Sequence, residues 1–183
     1  MKRFLLMLAA AALLNACKDD KKTDAEKTAA STTTTPDKAA ITYPLPVSYS
    51  SSFEMGNSAY AAMIAQGSWK DWEQNTMTNM KSWVADTVMA ISADNKVTKG
   101  VDSLQAHWIK GRADYTSVID TIDAIMPVYS TDKKENWVLV WAKEINVNTK
   151  GVKDTVEIME TWRINKDGKA DMVLQYDRHA RKM

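Results

Sequence analysis

Cysteine, histidine, glycine and proline are all scarce in this chain. Its 183 residues include one Cys, two His, six Gly and four Pro. A single Cys cannot form an intramolecular disulfide, and two isolated His without a Cys cluster give no zinc signature. The sequence also lacks a glycine-rich phosphate loop and a Gly-x-Ser-x-Gly elbow. We therefore expect no metal ion and no cofactor.

An excess of one charge sign is missing as well. The chain has 24 Lys and Arg against 23 Asp and Glu, a formal net charge of +1. Nucleic-acid-binding domains usually carry a basic excess, so we expect no nucleic-acid partner. What the chain does contain is tryptophan, seven residues between Trp69 and Trp162. That content predicts a substantial core or a pocket with aromatic walls.

The first 16 residues predict a bacterial signal peptide. Met1-Lys2-Arg3 is basic, and Phe4 to Leu14 is apolar but shorter than the ~20 residues that span a bilayer. Leu14-Asn15-Ala16-Cys17 resembles the lipobox of bacterial lipoproteins. The resemblance implies cleavage before Cys17 and acylation of this residue, palmitate included. Several acyl chains would then hold the protein on a membrane.

The segment after Cys17 predicts a surface address and a tether. Lys18-Asp19-Asp20 resembles the export tag of surface lipoproteins in Bacteroidota. A generic charge run and an inner-membrane retention signal remain alternatives. Residues 17–46 are rich in Lys, Asp, Ala and Thr and predict a flexible linker. We expect a domain over 47–183, anchored in the bacterial cell envelope at the outer membrane, on its periplasmic side or at the cell surface.

Hydrophobic spacing predicts helices early and strands late, which favours an α+β fold. The run over 136–147 is apolar on both faces, which is typical of a central strand. In chain order we expect a helix from Phe53 to a stop at Gly67, a second helix capped by Ser68, a strand over 83–91, a short helix ending at Gly111, and four strands.

The last two strands are predicted as a hairpin over Val152–Asp177, with its turn at Lys166-Asp167-Gly168-Lys169. The first strand places Val156, Ile158, Trp162 and Ile164 on one face, and the second places Ala170, Met172, Leu174 and Tyr176 on one face. Glu160 falls on the apolar face of the first strand. Because burial of an unpaired charge is costly, we expect Glu160 to be paired, neutralised or exposed to a cavity.

The order of elements and four motifs resemble the nuclear transport factor 2-like (NTF2-like) superfamily, which includes SnoaL and the ketosteroid isomerases. The motifs are Tyr60–Trp69, Trp83–Val88, Gly100–Trp108 and Glu160–Lys169, within a resemblance that covers about Phe53–Asp177. It implies a strongly curved antiparallel sheet wrapped by three N-terminal helices, with a cavity inside the cone.

The resemblance also bears on activity. In ketosteroid isomerases a first-helix Tyr and a strand acid donate hydrogen bonds to the forming oxyanion, and Tyr60 and Glu160 match those positions. The isomerase further needs a carboxylate base near the position of Ala90. A methyl group cannot act as a base, which argues against steroid isomerisation.

Three functions follow as hypotheses. The first is binding of a small apolar or amphipathic molecule, with Tyr60 and Glu160 as polar contacts. The second is lyase or isomerase chemistry by Asp86 or Asp120 with His107. The third is a non-catalytic homodimer formed through the sheet face, which sedimentation tests. We favour a binding protein over an enzyme. The candidate ligand-binding residues are Tyr60, Trp72, Asp86, His107, Asp120, Trp141, Glu160 and Trp162.

Overall fold

The computed structural model of the chain describes residues 43–179. The predicted signal peptide, the predicted acylation site Cys17 and the predicted linker up to residue 42 lie outside the described residues. The described part combines helical segments with one seven-stranded sheet, which confirms the predicted α+β class. No helix within residues 43–179 is long and apolar enough to cross a membrane.

The helical segments precede most of the sheet. Helix α1, Ser58–Ile64, continues through a π-helical turn, Ala65–Lys70, into the short helix α2, Asp71–Gln74. A 3₁₀ helix, Met77–Ser82, follows. Helix α3, Val101–Arg112, comes between the third and the fourth strand of the sheet in chain order.

The sheet is built mainly from four long antiparallel strands. In chain order the strands are β1 Phe53–Met55, β2 Val84–Ile91, β3 Val97–Lys99, β4 Tyr115–Ser130, β5 Glu135–Asn148, β6 Lys153–Ile164 and β7 Ala170–His179. Their spatial order is β1-β4-β5-β6-β7-β2-β3, with β2 parallel to β7. Strand β5 lies between β4 and β6, which confirms the predicted central strand. Strands β1 and β3 have three residues each, too few to show an alternation, and the sequence does not predict them. The predicted helix start at Phe53 is wrong, because Phe53–Met55 form β1 and helix α1 begins at Ser58.

The sheet is curved and its long strands carry irregularities that bend them. The pairing register shifts between Ile122 and Ala124 in β4 and between Val84 and Met89 in β2. Such bulges bend a strand and increase its twist. The helical segments pack on the inner face of the curve and form the core with it. The core residues with almost no exposed surface include Ile64, Leu104, Val138, Val140 and Trp162.

Gly67 does not end a helix, and that prediction is wrong. The backbone stays helical from α1 through the π-helical turn. A Cβ atom at Gly67 would stand 2.4 Å from Cε2 of Trp83, so the glycine permits close packing instead. Ser68 is likewise no helix cap, because its buried hydroxyl donates to Glu160 over 3.4 Å.

The predicted β6–β7 hairpin is confirmed. Its turn runs from Asn165 to Lys169, with Gly168 at φ +76°. Every second residue of β6 from Val156 to Ile164 is buried, Glu160 included, as the alternation predicts. This strand therefore places a carboxyl group on the inner face of the sheet.

The predicted faces of β7 are wrong beyond Ala170. Ile164 pairs with Ala170, but Arg163 pairs with Met172, so Asp171 is an extra residue in β7. One extra residue transfers all later side chains to the opposite face. Val173, Gln175 and Asp177 consequently pair with the inward residues of β6, whereas Tyr176 is 58% exposed.

Candidate functional site

A cavity of about 270 Å³ lies between the helical segments and the inner face of β5, β6 and β7. Its size is close to the lower end of the ~300–1,000 Å³ range of small-molecule sites. Trp69, Trp72 and Trp108 contribute indole rings to its lining, while β5 and β6 contribute Glu144 and Glu160. The interior therefore combines aromatic walls with buried acids.

Glu160 is the most deeply placed of these acids, with 5% of its surface exposed. Its Oε2 accepts a hydrogen bond of 2.8 Å from Nε1 of Trp162 and one of 3.4 Å from Ser68. Burial raises the pKa of Glu160 to about 7, although these hydrogen bonds oppose the rise. Near neutral pH the group is therefore available both as a charged acceptor and as a neutral donor.

Glu144 is a second buried acid in the lining, 7% exposed, that sequence reasoning missed. It accepts hydrogen bonds of 2.7 Å from Nε1 of Trp72 and 2.7 Å from Nδ2 of Asn146. The signal was present, since Glu144 and Asn146 share the phase of Val140 and Ala142 along β5. An alternation of this kind points both polar residues inward.

Trp69 leaves a buried donor in the cavity. The residue is 5% exposed, and its Nε1 has no hydrogen-bond partner among residues 43–179. The N–H lies near enough to Glu160 to lower the pKa of that carboxyl, yet outside hydrogen-bond geometry. Buried polar groups nearly always have a hydrogen-bond partner. A bound molecule with an acceptor atom could supply the partner of this N–H.

Asp120 lies directly across from Glu144 in the β4–β5 ladder. Both of its carboxyl oxygens are buried and without a hydrogen-bond partner in the described part of the chain. Burial raises the pKa of Asp120 to about 8, and the charges of Glu144, Glu73 and Glu160 add to the rise, while Arg112 opposes it. The side chain is therefore mostly neutral at pH 7.

Arg112 links the elements that surround the cavity by hydrogen bonds to their backbones. It is 7% exposed, and its guanidinium donates to the backbone carbonyls of Trp72, Glu73 and Tyr115 over 2.8 to 3.1 Å. These bonds tie the end of α2 to the end of α3 and the start of β4. No sequence pattern signalled this role, because an Arg at a helix end is usually exposed.

Three of the eight residues predicted to bind a ligand line the cavity, namely Trp72, His107 and Glu160. Tyr60 does not line it. Tyr60 lies beside Gly168 in the turn of the β6–β7 hairpin, whereas the cavity is at the other end of that hairpin. Trp162 is fully buried and is not in the lining itself, but it contacts two lining residues, Glu160 by a hydrogen bond and Trp108 by an edge-on ring contact.

The remaining three predicted residues are not in the lining. Trp141 is 37% exposed because the phase of β5 directs it to the outer face of the sheet. Asp86 is exposed on β2, and the oxygens of Asp120 are covered. His107 is thus the one member of the proposed Asp–His combination found in the lining of the described cavity.

No three His, Cys, Asp or Glu side chains within residues 43–179 are grouped so that they could hold a metal ion. The homodimer through the sheet face stays a prediction. Trp141 and Tyr176 are exposed large residues of that outer face.

The raised pKa values of Glu160 and Asp120 predict an unusual pH dependence of stability. Both carboxyl groups have folded pKa values above their unfolded values of ~4. Their contribution to the free energy of unfolding is therefore complete below pH ~4 and is lost as the pH rises through about 7 for Glu160 and about 8 for Asp120. We expect the free energy of unfolding to be about 1–2 kcal/mol higher near pH 6 than near pH 9, after allowance for screening at Asp120. Urea denaturation at the two pH values measures this difference. The Asp120→Asn/Glu160→Gln double variant should flatten it, and an unchanged slope in that variant would contradict the assignment.

Comparison of the sequence with protein-family models and with curated proteins finds no match. Solved structures do match. An NTF2-like protein of unknown function from Exiguobacterium sp. 255-15 is 11% identical, with a TM-score of 0.53 over 62% of this chain and 96% of that chain. A SnoaL-like protein of unknown function from Burkholderia thailandensis E264 is 14% identical, with a TM-score of 0.51 over 70% and 100% of the two chains.

A third similar structure is a Mycobacterium tuberculosis protein in complex with estradiol-17beta-hemisuccinate. It is 17% identical, with a TM-score of 0.52 over 64% of this chain and 92% of that chain. At such identities the similarity establishes the fold alone. The fold is that of NTF2-like and SnoaL-like proteins, which confirms the resemblance in the sequence.

Proposed function

We propose that this chain is a cell-envelope lipoprotein whose NTF2-like domain binds a small amphipathic molecule in its cavity. The observation that carries the binding function is a buried acid, Glu160, beside a buried N–H of Trp69 that has no partner in the described part of the chain, inside a cavity with indole walls. A molecule with an apolar body and one polar end would satisfy both groups. A protein of the same fold in complex with estradiol-17beta-hemisuccinate supports ligand binding by this fold.

The cavity volume sets the scale of the ligand. A space of about 270 Å³ accommodates a small ring with a short polar arm rather than a drug-sized molecule. Three probes share such a skeleton and differ only at one end. They are 1-phenyl-1,2-ethanediol, which is neutral, 2-amino-1-phenylethanol, a cation, and mandelate, an anion.

Titration of the three probes, followed by NMR of the seven indole N–H groups, tests the binding function. Ten or eleven non-hydrogen atoms at ~0.3 kcal/mol or more each predict a dissociation constant of about 10 mM or lower. We expect saturable shifts of the Trp69 and Trp72 resonances with at least one probe, and none at the exposed Trp141. Trp→Phe variants assign the resonances.

A blocked cavity supplies the control. Gly111 lies on α3 in the lining, and a Cβ there would meet only Cη2 of Trp72 at 3.7 Å. Gly111→Leu should fill the space and abolish the shifts, whereas Gly111→Ala should retain them. The function is wrong if none of the three probes gives saturable shifts, or if the shifts persist in Gly111→Leu.

The membrane anchor is a separate part of the proposal, supported by the signal-peptide pattern and by Leu14-Asn15-Ala16-Cys17. In a bacterial host the chain should incorporate labelled palmitate and remain with the membrane fraction. Cys17→Ala should lose both the label and the membrane association. Equal labelling of the wild-type chain and Cys17→Ala would contradict the anchor and leave the binding function untouched.

A further inference from the structure

We propose that the ligand of this cavity is a small organic ammonium compound that also carries a hydroxyl group. This inference rests on the binding function proposed above and specifies the chemistry of the ligand. It follows from the charge of the lining, from the indole rings and from the buried donor of Trp69.

The lining is acidic. Asp114, Glu144, Glu160 and Asp177 contribute four carboxyl groups, and none of the described residues that line the cavity is Lys or Arg. Arg112 is a buried cation near the cavity and keeps its charge, but its guanidinium donates to three backbone carbonyls and it is not a lining residue. Charges interact more strongly in a partly buried cavity than in water, so the site favours a positive ligand and disfavours an anion.

Two histidines also line the cavity, and neither reverses this balance. His179 lies 2.9 Å from Asp154 and 3.8 Å from Asp177, so its charge, when present, is shared with these acids. His107 is on the exposed side of α3, at the edge of the cavity. The deeper acids, Glu144 and Glu160, are 7% and 5% exposed, and their hydrogen-bond donors among residues 43–179 are neutral side chains.

The aromatic walls suit the same ligand. Trp69, Trp72 and Trp108 bring three indole rings to the lining. Tryptophan is the strongest partner for a cation at an aromatic face, and aromatic cages bind organic ammonium groups through this attraction. A strongly hydrated inorganic ion would gain little from three indoles, whereas an organic cation gains both cation–π attraction and apolar contact.

The hydroxyl group follows from Trp69. Its buried N–H requires an acceptor, and an ammonium group has none. A hydroxyl oxygen can accept from Trp69 and donate to Glu160 at the same time. An ammonium group on the adjacent carbon would supply the counter-charge for Glu144 and Glu160, which line the same cavity. A neutral diol would satisfy Trp69 but leave the carboxylates without a counter-charge.

Comparison of the three phenyl probes tests the inference in the intact protein, since they share the phenyl ring and the adjacent hydroxyl and differ in the terminal group, which is a hydroxyl, an ammonium or a carboxylate. At neutral pH we expect 2-amino-1-phenylethanol to bind at least tenfold more tightly than the diol, and mandelate to bind most weakly. Binding of the diol or mandelate with equal or higher affinity would overturn the inference and leave the binding function standing. Failure of all three probes would instead remove the binding function itself.

Matched variants test which carboxyl group produces the preference for the amine over the diol. Glu160→Gln should reduce the preference for the amine over the diol by about tenfold, the factor that corresponds to ~1.4 kcal/mol. Glu157→Gln removes the same charge from the outward side of β6 and should leave the preference unchanged. If Glu160→Gln does not fold, Glu144→Gln serves the same purpose. An amine preference that survives both cavity variants would overturn the inference.

Discussion

Replacement of Trp162 by Ala is expected to lower the free energy of unfolding by about 3–5 kcal/mol. Trp162 has no exposed surface, and its ring centroid lies 5.5 Å from that of Trp83 and 6.1 Å from that of Trp108. Its loss would leave a large cavity in the core. It would also remove the 2.8 Å hydrogen bond that stabilises the buried carboxyl of Glu160.

Urea denaturation of the variant measures this cost. Trp141→Ala is the matched control, because Trp141 is 37% exposed on the outer face and its loss should cost much less. Trp162→Phe should fall between the two, since it keeps most of the ring contacts but loses the N–H donor. A cost for Trp162→Ala no greater than that for Trp141→Ala would contradict the packing described above.

Gly67→Ala is expected to destabilise the protein by about 3 kcal/mol, although Ala normally stabilises a helix relative to Gly. The added Cβ would stand 2.4 Å from Cε2 and 2.6 Å from Nε1 of Trp83. Trp83 is itself buried and packed against Trp162, so it has little freedom to move. The π-helical turn that carries Gly67 and the segment of Trp83, just before β2, would have to separate.

A second helical glycine provides the comparison for thermal denaturation. Gly111→Ala places its Cβ 3.7 Å from the nearest atom of Trp72, an ordinary contact, and should be neutral or stabilising by up to ~1 kcal/mol. The account requires opposite signs for the two substitutions. Equal effects would show that Gly67 is present for backbone reasons and not for the approach of Trp83.

Gly67 also marks where sequence reasoning reaches its limit. A glycine between two apolar stripes predicts a helix end from local chemistry alone. Its actual role depends on Trp83, which is 16 residues away in sequence and adjacent only in the fold. Ser68 was misassigned for the same reason, since its partner Glu160 is on β6.

The β6–β7 hairpin was largely predictable, because burial of one face of a strand imposes a period of two on its hydrophobic residues. The alternation around Glu160 correctly placed this acid inside. The same rule failed in β7, where the extra residue Asp171 reversed the faces and brought Gln175 and Asp177 inward. Nothing in the local sequence marks that bulge.

Glu144 shows the opposite case, a residue that the pattern could have revealed. The sequence of β5 is apolar on both faces and so predicts a central strand without indicating which residues face inward. Tracing the phase from Val140 through Ala142 would have placed Glu144 inside and Trp141 outside. Cross-strand pairing then brings Glu144 opposite Asp120, a relation that requires the register of the sheet.

The central claim is that the cavity receives the polar end of a small molecule at Glu160 and Trp69. A crystal structure of the protein saturated with 2-amino-1-phenylethanol tests it most directly. The account predicts density for the phenyl ring among the indoles of Trp69, Trp72 and Trp108, with a polar atom of the probe ~2.7–3.2 Å from the Glu160 carboxyl. Indole rings that close the space, or a probe bound only outside it, would contradict the claim.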